Sequence, residues 1–378
     1  TGFVGRLTAE YLAEHARPGL KWAIAGRSAE KLESLRDDLA QLDPSLAELA
    51  TIEADSLDLP AMRALAERTK VIATTVGPYA KYGEPLVKAC ADAGTDYLDL
   101  CGEPAFVDEM YVKYDAIARV TGARLIHSAG FDSLPHDLGV YYTVLQLPEG
   151  APITVESRVR ASGMYSGGTL ASAMHAMGQP KRTIDALRAR RKVEPRPEGR
   201  KIGRTTAPLK LDREMRMWVA PLPTIDQFVV ERSAAALERY GPDFKYGHKY
   251  AAKRLATVAI GSVAVTGVFV AAQLPPLRRV ASKLAPPGTG PSKERRERSW
   301  FRIEFVGEGG GKRVRTAISG GDAGYDETAK MLAESAMALA LDELPDTAGQ
   351  VTTVVGLGDR LIVRLPEVGI ELEVVGAA

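Results

Sequence analysis

The chain opens TGFVGRLTAEYL, Thr1 to Leu12, and these twelve residues decide the fold class. Gly2 and Gly5 stand directly before a run in which Leu7, Tyr11 and Leu12 recur at helical spacing. Glycines at a strand-to-helix turn let the backbone approach a pyrophosphate, which then rests on the free N–H groups of the helix N-terminus. Gly2 and Gly5 have the spacing of the last two glycines of such a turn. A GxxG pair also occurs at ordinary tight turns, so the residues around it must carry the assignment. The candidate cofactor contacts here are Thr1, Gly2, Phe3, Val4 and Gly5.

Working outward, helical and strand-like patterns alternate as far as residue 130. After the first helix, Arg17-Pro18-Gly19 turns into the apolar run Leu20-Lys21-Trp22-Ala23-Ile24-Ala25. Ser28 is placed to N-cap a helix over 29–39. Strands follow at 50–54, 71–76, 97–100 and 124–127, with helices at 59–68, 85–93 and 107–121 between them. This alternation predicts an α/β fold, a Rossmann-type doubly wound parallel sheet covered by helices on both faces. Beyond Pro135 a period-two pattern such as Ile153-Thr154-Val155-Glu156-Ser157-Arg158-Val159 predicts antiparallel strands of a second, α+β domain. The expected organisation is a dinucleotide-binding domain over 1–135, an α+β substrate and dimerisation domain over 136–320, and a C-terminal helix and tail over 321–378 packing back on the first domain. The Arg-, Lys- and Pro-rich stretches 190–216 and 285–298 are expected as surface loops.

The chain has 378 residues, 45% hydrophobic and 26% charged, enough for a two-domain soluble core. Lys+Arg number 49 against Asp+Glu 48, so no global field draws it to nucleic acid. Cys90 and Cys101 lack CxxC or Cys/His spacing, so no metal site and no disulfide are expected, in keeping with a cytoplasmic protein.

The strand end Ala25-Gly26-Arg27-Ser28 selects between nicotinamide cofactors. A carboxylate there would bind a ribose 2′-hydroxyl; Arg27 and Ser28 instead suit a 2′-phosphate, so NADP(H) is favoured. Asp55 is placed either to meet the adenine edge or to cap the next helix. Ligands of open α/β sheets bind beyond the carboxyl ends of the strands. The loop Thr75-Val76-Gly77-Pro78-Tyr79-Ala80-Lys81-Tyr82-Gly83 puts Gly77 and Pro78 near the nicotinamide ribose, with Tyr79, Tyr82 and Lys81 as protic groups. The competing reading is a rigid turn whose tyrosines pack between domains. Asp132, Ser133, His136 and Asp137 concentrate polar chemistry at the domain junction, with Ser133 and Asp137 leaning towards helix caps and His127 towards a core histidine.

Taken together, these motifs resemble the saccharopine dehydrogenase-like oxidoreductases, most closely their mycobacterial trans-acting enoyl reductase branch. That family's GATGFxG, AGRS, TTVGPY..YG, YxDLxGE and GFDSxPxD segments correspond here to residues 1–5, 25–28, 74–83, 97–103 and 130–137, and the loop 287–292 and helix 333–341 look similar too. Cys101 stands where threonine is common and His136 where serine is. The resemblance implies NADPH-dependent reduction of an enoyl group on a polyketide-derived acyl chain, carried by a synthase lacking its own reductase, in lipid or glycolipid biosynthesis. In that chemistry Tyr79 or Tyr82 would protonate or polarise the developing enolate, with Lys81 supporting its charge. The alternatives are a lipid-associated NADP(H)-binding protein without turnover, and an imine or amino-acid dehydrogenase. Because TGFVG matches the second half of the family's turn, a strand and a further glycine are expected before Thr1. The expected partners are the acyl substrate, its carrier synthase and a second copy of the chain.

Residues 255–274, LATVAIGSVAVTGVFVAAQL, carry no charge between Lys253-Arg254 and Arg278-Arg279. Their length matches a bilayer, but their Ala, Gly, Ser and Thr content makes insertion marginal. Burial, with Gly261 and Gly267 interrupting any single helix, is the leading expectation. A wall for a long acyl chain, or a peripheral contact with the inner face of the plasma membrane, are the other two.

Overall fold

The computed structural model describes residues 1–162, 178–205, 208–273 and 290–377. The first unit alternates as the sequence pattern requires. In order come α1 (Phe3–His15), β1 (Ala23–Gly26), α2 (Ala29–Leu42), β2 (Ala50–Glu53), α3 (Leu59–Ala66), β3 (Val71–Thr74), α4 (Tyr79–Tyr82), α5 (Glu84–Ala93), β4 (Asp96–Asp99), α6 (Pro104–Thr121), β5 (Arg124–Ile126) and α7 (Leu134–Leu145). Local signals set several boundaries. Ser28 accepts from the Lys31 amide at the start of α2. Asp58 caps α3, ahead of Pro60 in its first turn. Gly94 and Gly122 close α5 and α6 at φ 77° and 87°, a left-handed conformation that glycine adopts without strain.

The second unit contains β6 (Ile153–Ser162), α8 (Pro180–Val193), β7 (Lys201–Arg204), β8 (Lys210–Asp212), β9 (Met217–Pro221), α9 (Asp226–Ala236), β10 (Asp243–Ala252), α10 (Leu255–Gln273), α11 (Lys293–Glu297), β11 (Trp300–Gly309) and β12 (Lys312–Gly320). The chain ends with α12 (Asp326–Leu341), β13 (Gly349–Val351), α13 (Thr353–Leu357), α14 (Arg360–Glu367) and β14 (Glu371–Ala377).

The parallel strands of the first unit form two groups: the pair β1-β2, and a four-stranded sheet in the order β13-β5-β4-β3. The opening turn lies between them. The Thr1 methyl is 3.8 Å from where a Gly26 Cβ would stand, and a Cβ on Gly5 would come within 2.8 Å of Thr75 Oγ1. Gly5 is therefore what lets α1 approach the carboxyl end of β3. Among the described residues no strand joins β1 to β3.

The second sheet runs β14-β12-β11-β6-β10-β9-β8, with β7 also on β10. It is mixed: β6 pairs antiparallel with β11 as expected for residues 153–159, whereas β10 departs from that expectation and is parallel to both β6 and β7. Such pairs need a crossover connection, and the long β6-to-β10 excursion through α8 and α9 supplies one. The stretch expected as a loop over 190–216 carries the end of α8 and the short strands β7 and β8, and α11 falls within 285–298. Their polar composition suits strands with one solvated face. Residues 274–289, including Arg278, Arg279 and Pro287 to Thr289, lie outside the described residues.

A single apolar core runs through both units, from Leu98 and Ile126 through Leu134 and Leu138 to Phe244, Phe301 and Phe305. Helix α7 lies on the second sheet, where a Cβ on Gly139 would come within 2.3 Å of the Phe305 ring. The last segment divides: β13 extends the first unit's sheet beside β5, whereas β14 pairs with β12 at the edge of the second.

Helix α10 corrects two expectations. It is continuous through Gly261 and Gly267, and it is not buried: Ile260 is 70% and Val263 72% exposed, although Val258 is covered. Helical hydrogen bonding tolerates isolated glycines at a cost of about 1 kcal/mol each. Among the described residues no helix is long and apolar enough to cross a membrane.

Candidate active site

The carboxyl ends of β1 and β3 meet at the N-terminus of α1. Gly2 caps that helix in extended conformation, with no side-chain cap and no acidic residue in the first turn. A Cβ on Gly2 would meet nothing within 4 Å. An uncapped, uncompensated helix N-terminus in open space fits a pyrophosphate by both its free N–H groups and its dipole.

Arg27, one residue past β1, is exposed and shows no ion pair or side-chain hydrogen bond among the described residues, so its guanidinium is available. Ser28 spends its hydroxyl on the α2 cap. Asp55 lies at the neighbouring end of β2, where its carboxylate accepts from the Leu57 amide in a turn. The α3 cap is Asp58, so of the two roles expected for Asp55 the cap is excluded. Phe3 is packed rather than open: its ring makes an edge contact with Tyr325 at 5.1 Å, lies under Arg296, and abuts Gly290. Val4 accepts from the Thr8 hydroxyl through its carbonyl. The residues present thus fit NADP(H), the exposed Arg27 guanidinium and the open α1 N-terminus being the groups that would hold its phosphates.

On the other side of α1, the loop after β3 holds a cis Gly77–Pro78 peptide, with Val76 47% exposed. Tyr79, one of the two expected proton donors, is instead built into the wall. It is 4% exposed, donates to the Thr74 carbonyl at 3.2 Å and accepts from the Leu100 amide at 3.1 Å. Burial, and then the nearby Asp99 charge, push its hydroxyl well above the ordinary phenol range. Tyr82 is half-buried, and the Lys81 ammonium lies 4.7 Å from its ring centroid.

Two buried carboxylates that residue spacing did not single out organise this region, one at the loop and one at the ends of β4 and β5. Glu103 is 1% exposed and accepts from the Tyr79 and Ala80 amides at 2.8 and 3.1 Å, binding α4 by its N-terminus. Asp99, fully buried, gathers Cys101 N, Ser128 N, the Tyr97 hydroxyl and His127 Nδ1 at 2.9, 2.9, 2.9 and 2.6 Å. His127 is the core histidine expected, held on Nδ1 and with Nε2 unpartnered. Burial, then Asp99, push the Cys101 thiol well up, so it packs as a neutral side chain against Glu103.

The junction segment also resolves. Ser133 occupies the N-cap of α7, yet its buried hydroxyl makes no cap bond. Asp137 does cap, but a different helix: it accepts from Thr353 Oγ1 and Val354 N at 2.9 and 3.1 Å at the start of α13, and from Ser233. His136 is buried and faces Asp226 and His248, neither of which residue spacing flagged. Burial, opposed by Asp226, holds His136 down at about 4. Burial, with the Asp226 charge, lifts Asp132 to about 7.

Residues 1–126 match the family model of the saccharopine dehydrogenase NADP binding domain. A Mycobacterium tuberculosis protein named trans-acting enoyl reductase is 37% identical over 404 residues, covering 98% of this chain and 94% of its own. A Mycobacterium ulcerans protein of the same name is 33% identical with the same coverage of 98% and 94%. Among solved structures, the apo saccharopine dehydrogenase (L-Glu forming) of Saccharomyces cerevisiae superposes with a TM-score of 0.56 at 10% identity, over 99% of this chain and 98% of that one, which is a likeness of fold. The open α1 N-terminus, the free Arg27 and this identity along nearly the whole chain place the protein in the saccharopine dehydrogenase-like, trans-acting enoyl reductase family of NADP-dependent oxidoreductases.

Proposed function

We propose that this chain reduces the carbon–carbon double bond of an enoyl thioester carried by a polyketide synthase, with Tyr82 and Lys81 as the protein groups that act on the substrate. The observation that carries the proposal is the Lys81–Tyr82 pair in α4, after the carboxyl end of β3, with the Lys81 ammonium 4.7 Å from the Tyr82 ring centroid. NADPH, when bound, supplies the hydride that adds to the β-carbon. The developing enolate then needs a positive charge and a proton: the Lys81 ammonium offsets the negative oxygen, and the Tyr82 hydroxyl delivers the proton that ends on the α-carbon. Tyr79 and Glu103 serve this pair indirectly, by holding α4 in place.

The exposed apolar side chains of α10, Leu255, Ile260 and Val263, support the view that a long acyl chain or a lipid surface is met outside the core. This suits a role in lipid or glycolipid biosynthesis and a peripheral position at the membrane. It also supports the second reading, a lipid-associated NADP(H)-binding protein without turnover.

The test is NADPH oxidation by the full chain with an acyl-carrier-bound enoyl substrate. Tyr82→Phe is expected to cut turnover by roughly 10²–10⁴. Undiminished turnover in the Tyr79→Phe, Tyr82→Phe double variant would remove the tyrosine from the chemistry. Tight NADPH binding with no oxidation across enoyl, imine and carbonyl substrates would favour the second reading.

A further inference from the structure

Three ligand-type side chains meet where the two units join. His136 comes from the first turn of α7, Asp226 opens α9, and His248 lies in the middle of β10. One donor atom from each lies within 4.8 Å of the other two, and the three residues are 1%, 1% and 3% exposed.

Only one of the two imidazoles is near enough to Asp226 for a direct hydrogen bond, and that one at the outer limit of distance. His136 Nε2 lies 3.7 Å from Asp226 Oδ1, and His248 Nε2 lies 3.4 Å from Asp226 Oδ2. Three buried atoms of the cluster, His136 Nδ1, Asp226 Oδ1 and His248 Nε2, have no hydrogen-bond partner. Folded proteins rarely leave such buried atoms unmatched without a ligand or water to complete them. The two separations, one to each oxygen of the Asp226 carboxylate, are near those that a cation placed between the two imidazoles and the carboxylate imposes. Zinc–nitrogen and zinc–oxygen bonds of about 2.0–2.1 Å in a tetrahedron put neighbouring donors about 3.3 Å apart.

The surroundings hold the donors in that orientation. His248 Nδ1 lies 3.0 Å from both Ser157 Oγ and the Tyr246 hydroxyl, which leaves Nε2 directed at Asp226. The Thr224 hydroxyl donates to Asp226 Oδ2. Hydrogen bonds to the far side of a ligand are how metal sites fix ring orientation.

We propose that His136, Asp226 and His248 form a binding site for a divalent cation of the zinc class. Two imidazoles and one carboxylate are a zinc donor set with one exchangeable position, to be filled by water or a substrate oxygen. The cation ties α7, α9 and β10 together at the junction, independently of whether enoyl reduction is the reaction.

The full chain, stripped with a chelator and dialysed, is titrated with Zn²⁺ and with Co²⁺. A single retained equivalent by elemental analysis, and the visible d–d absorption of a four-coordinate cobalt site, are expected. His248→Gln and Asp226→Asn should abolish both, and Ser157→Ala should weaken affinity about 10–100-fold. His15→Ala, which alters a surface histidine, should change neither. Circular dichroism and NADPH binding report that each variant is folded; should the ligand variants unfold, the graded loss in Ser157→Ala decides. Metal lost on dialysis of the unaltered chain, or retained equally by Ser157→Ala and the ligand variants, overturns the site and leaves a buried water as its occupant.

Discussion

Replacing Tyr79 by phenylalanine removes one oxygen and two buried hydrogen bonds, to the Thr74 carbonyl at 3.2 Å and from the Leu100 amide at 3.1 Å. The ring stays, so packing against Phe106 at a centroid distance of 6.1 Å is kept and no cavity forms. What is lost is the satisfaction of two backbone groups at the ends of β3 and β4, each worth about 1–2 kcal/mol when left unpaired, roughly 2–4 kcal/mol together. The Leu100 amide is the sharpest reporter. Its hydrogen exchange should accelerate by at least about thirtyfold, the equivalent of about 2 kcal/mol, while amides of α2 on the far side of α1 stay unchanged. Turnover of an enoyl substrate should fall far less than in Tyr82→Phe, since Tyr82 is half-buried and forms no such strut among the described residues. Unaltered Leu100 exchange, or equal losses of turnover in the two variants, would refute the division of labour between the tyrosines.

Arg27→Ala should weaken NADPH binding by about 10–100-fold, the worth of charge-assisted bonds to a 2′-phosphate, and leave NADH binding nearly unchanged; equal losses in fluorescence titrations would count against the role of Arg27. Arg364 is 3% exposed and bonds Glu334 at 2.8 Å and both oxygens of Asp342 at 2.7 Å, so Arg364→Met strands buried charge and should cost about 3–5 kcal/mol in denaturant unfolding. Because Arg364 holds Asp342 below the ordinary carboxylate value of 3.8, its contribution is complete above that pH and is lost as pH falls through the lower native value. The variant should therefore unfold with a shallower acid limb, and an unchanged limb would contradict the pairing. Ile260→Glu with Val263→Glu should abolish co-sedimentation with anionic lipid vesicles without altering NADPH binding; vesicle binding that survives would point away from α10.

The alternation of helices and strands was legible because each element of the first unit carries its own local signal. Ser28, the Gly94 and Gly122 stops and the apolar strand at residue 71 all act within a few residues of themselves. The mixed pairing of the second sheet was not, since β6 and β10 meet only after a long excursion, and a strand's sequence shows which face is apolar but not the direction of its neighbour. The same holds for β13 and β14, which join different sheets from one short C-terminal segment. Gly261 and Gly267 misled in the opposite sense: their helix cost is small enough for the run around them to stay continuous.

The candidate site divides along the same line. Residues adjacent in the chain determine the phosphate turn at Gly2 and Gly5, the Arg27 that favours NADP(H), and the Lys81–Tyr82 pair, because each is a short backbone motif at a strand end. Only the tertiary structure separates Tyr79 from Tyr82, since burial and two backbone partners at the ends of β3 and β4 make one a strut and leave the other half-buried. It alone brings His136, Asp226 and His248 within reach of one another from α7, α9 and β10. Spacing along a chain reports contacts made within a turn or a strand; a cluster assembled by packing across elements leaves no period to read.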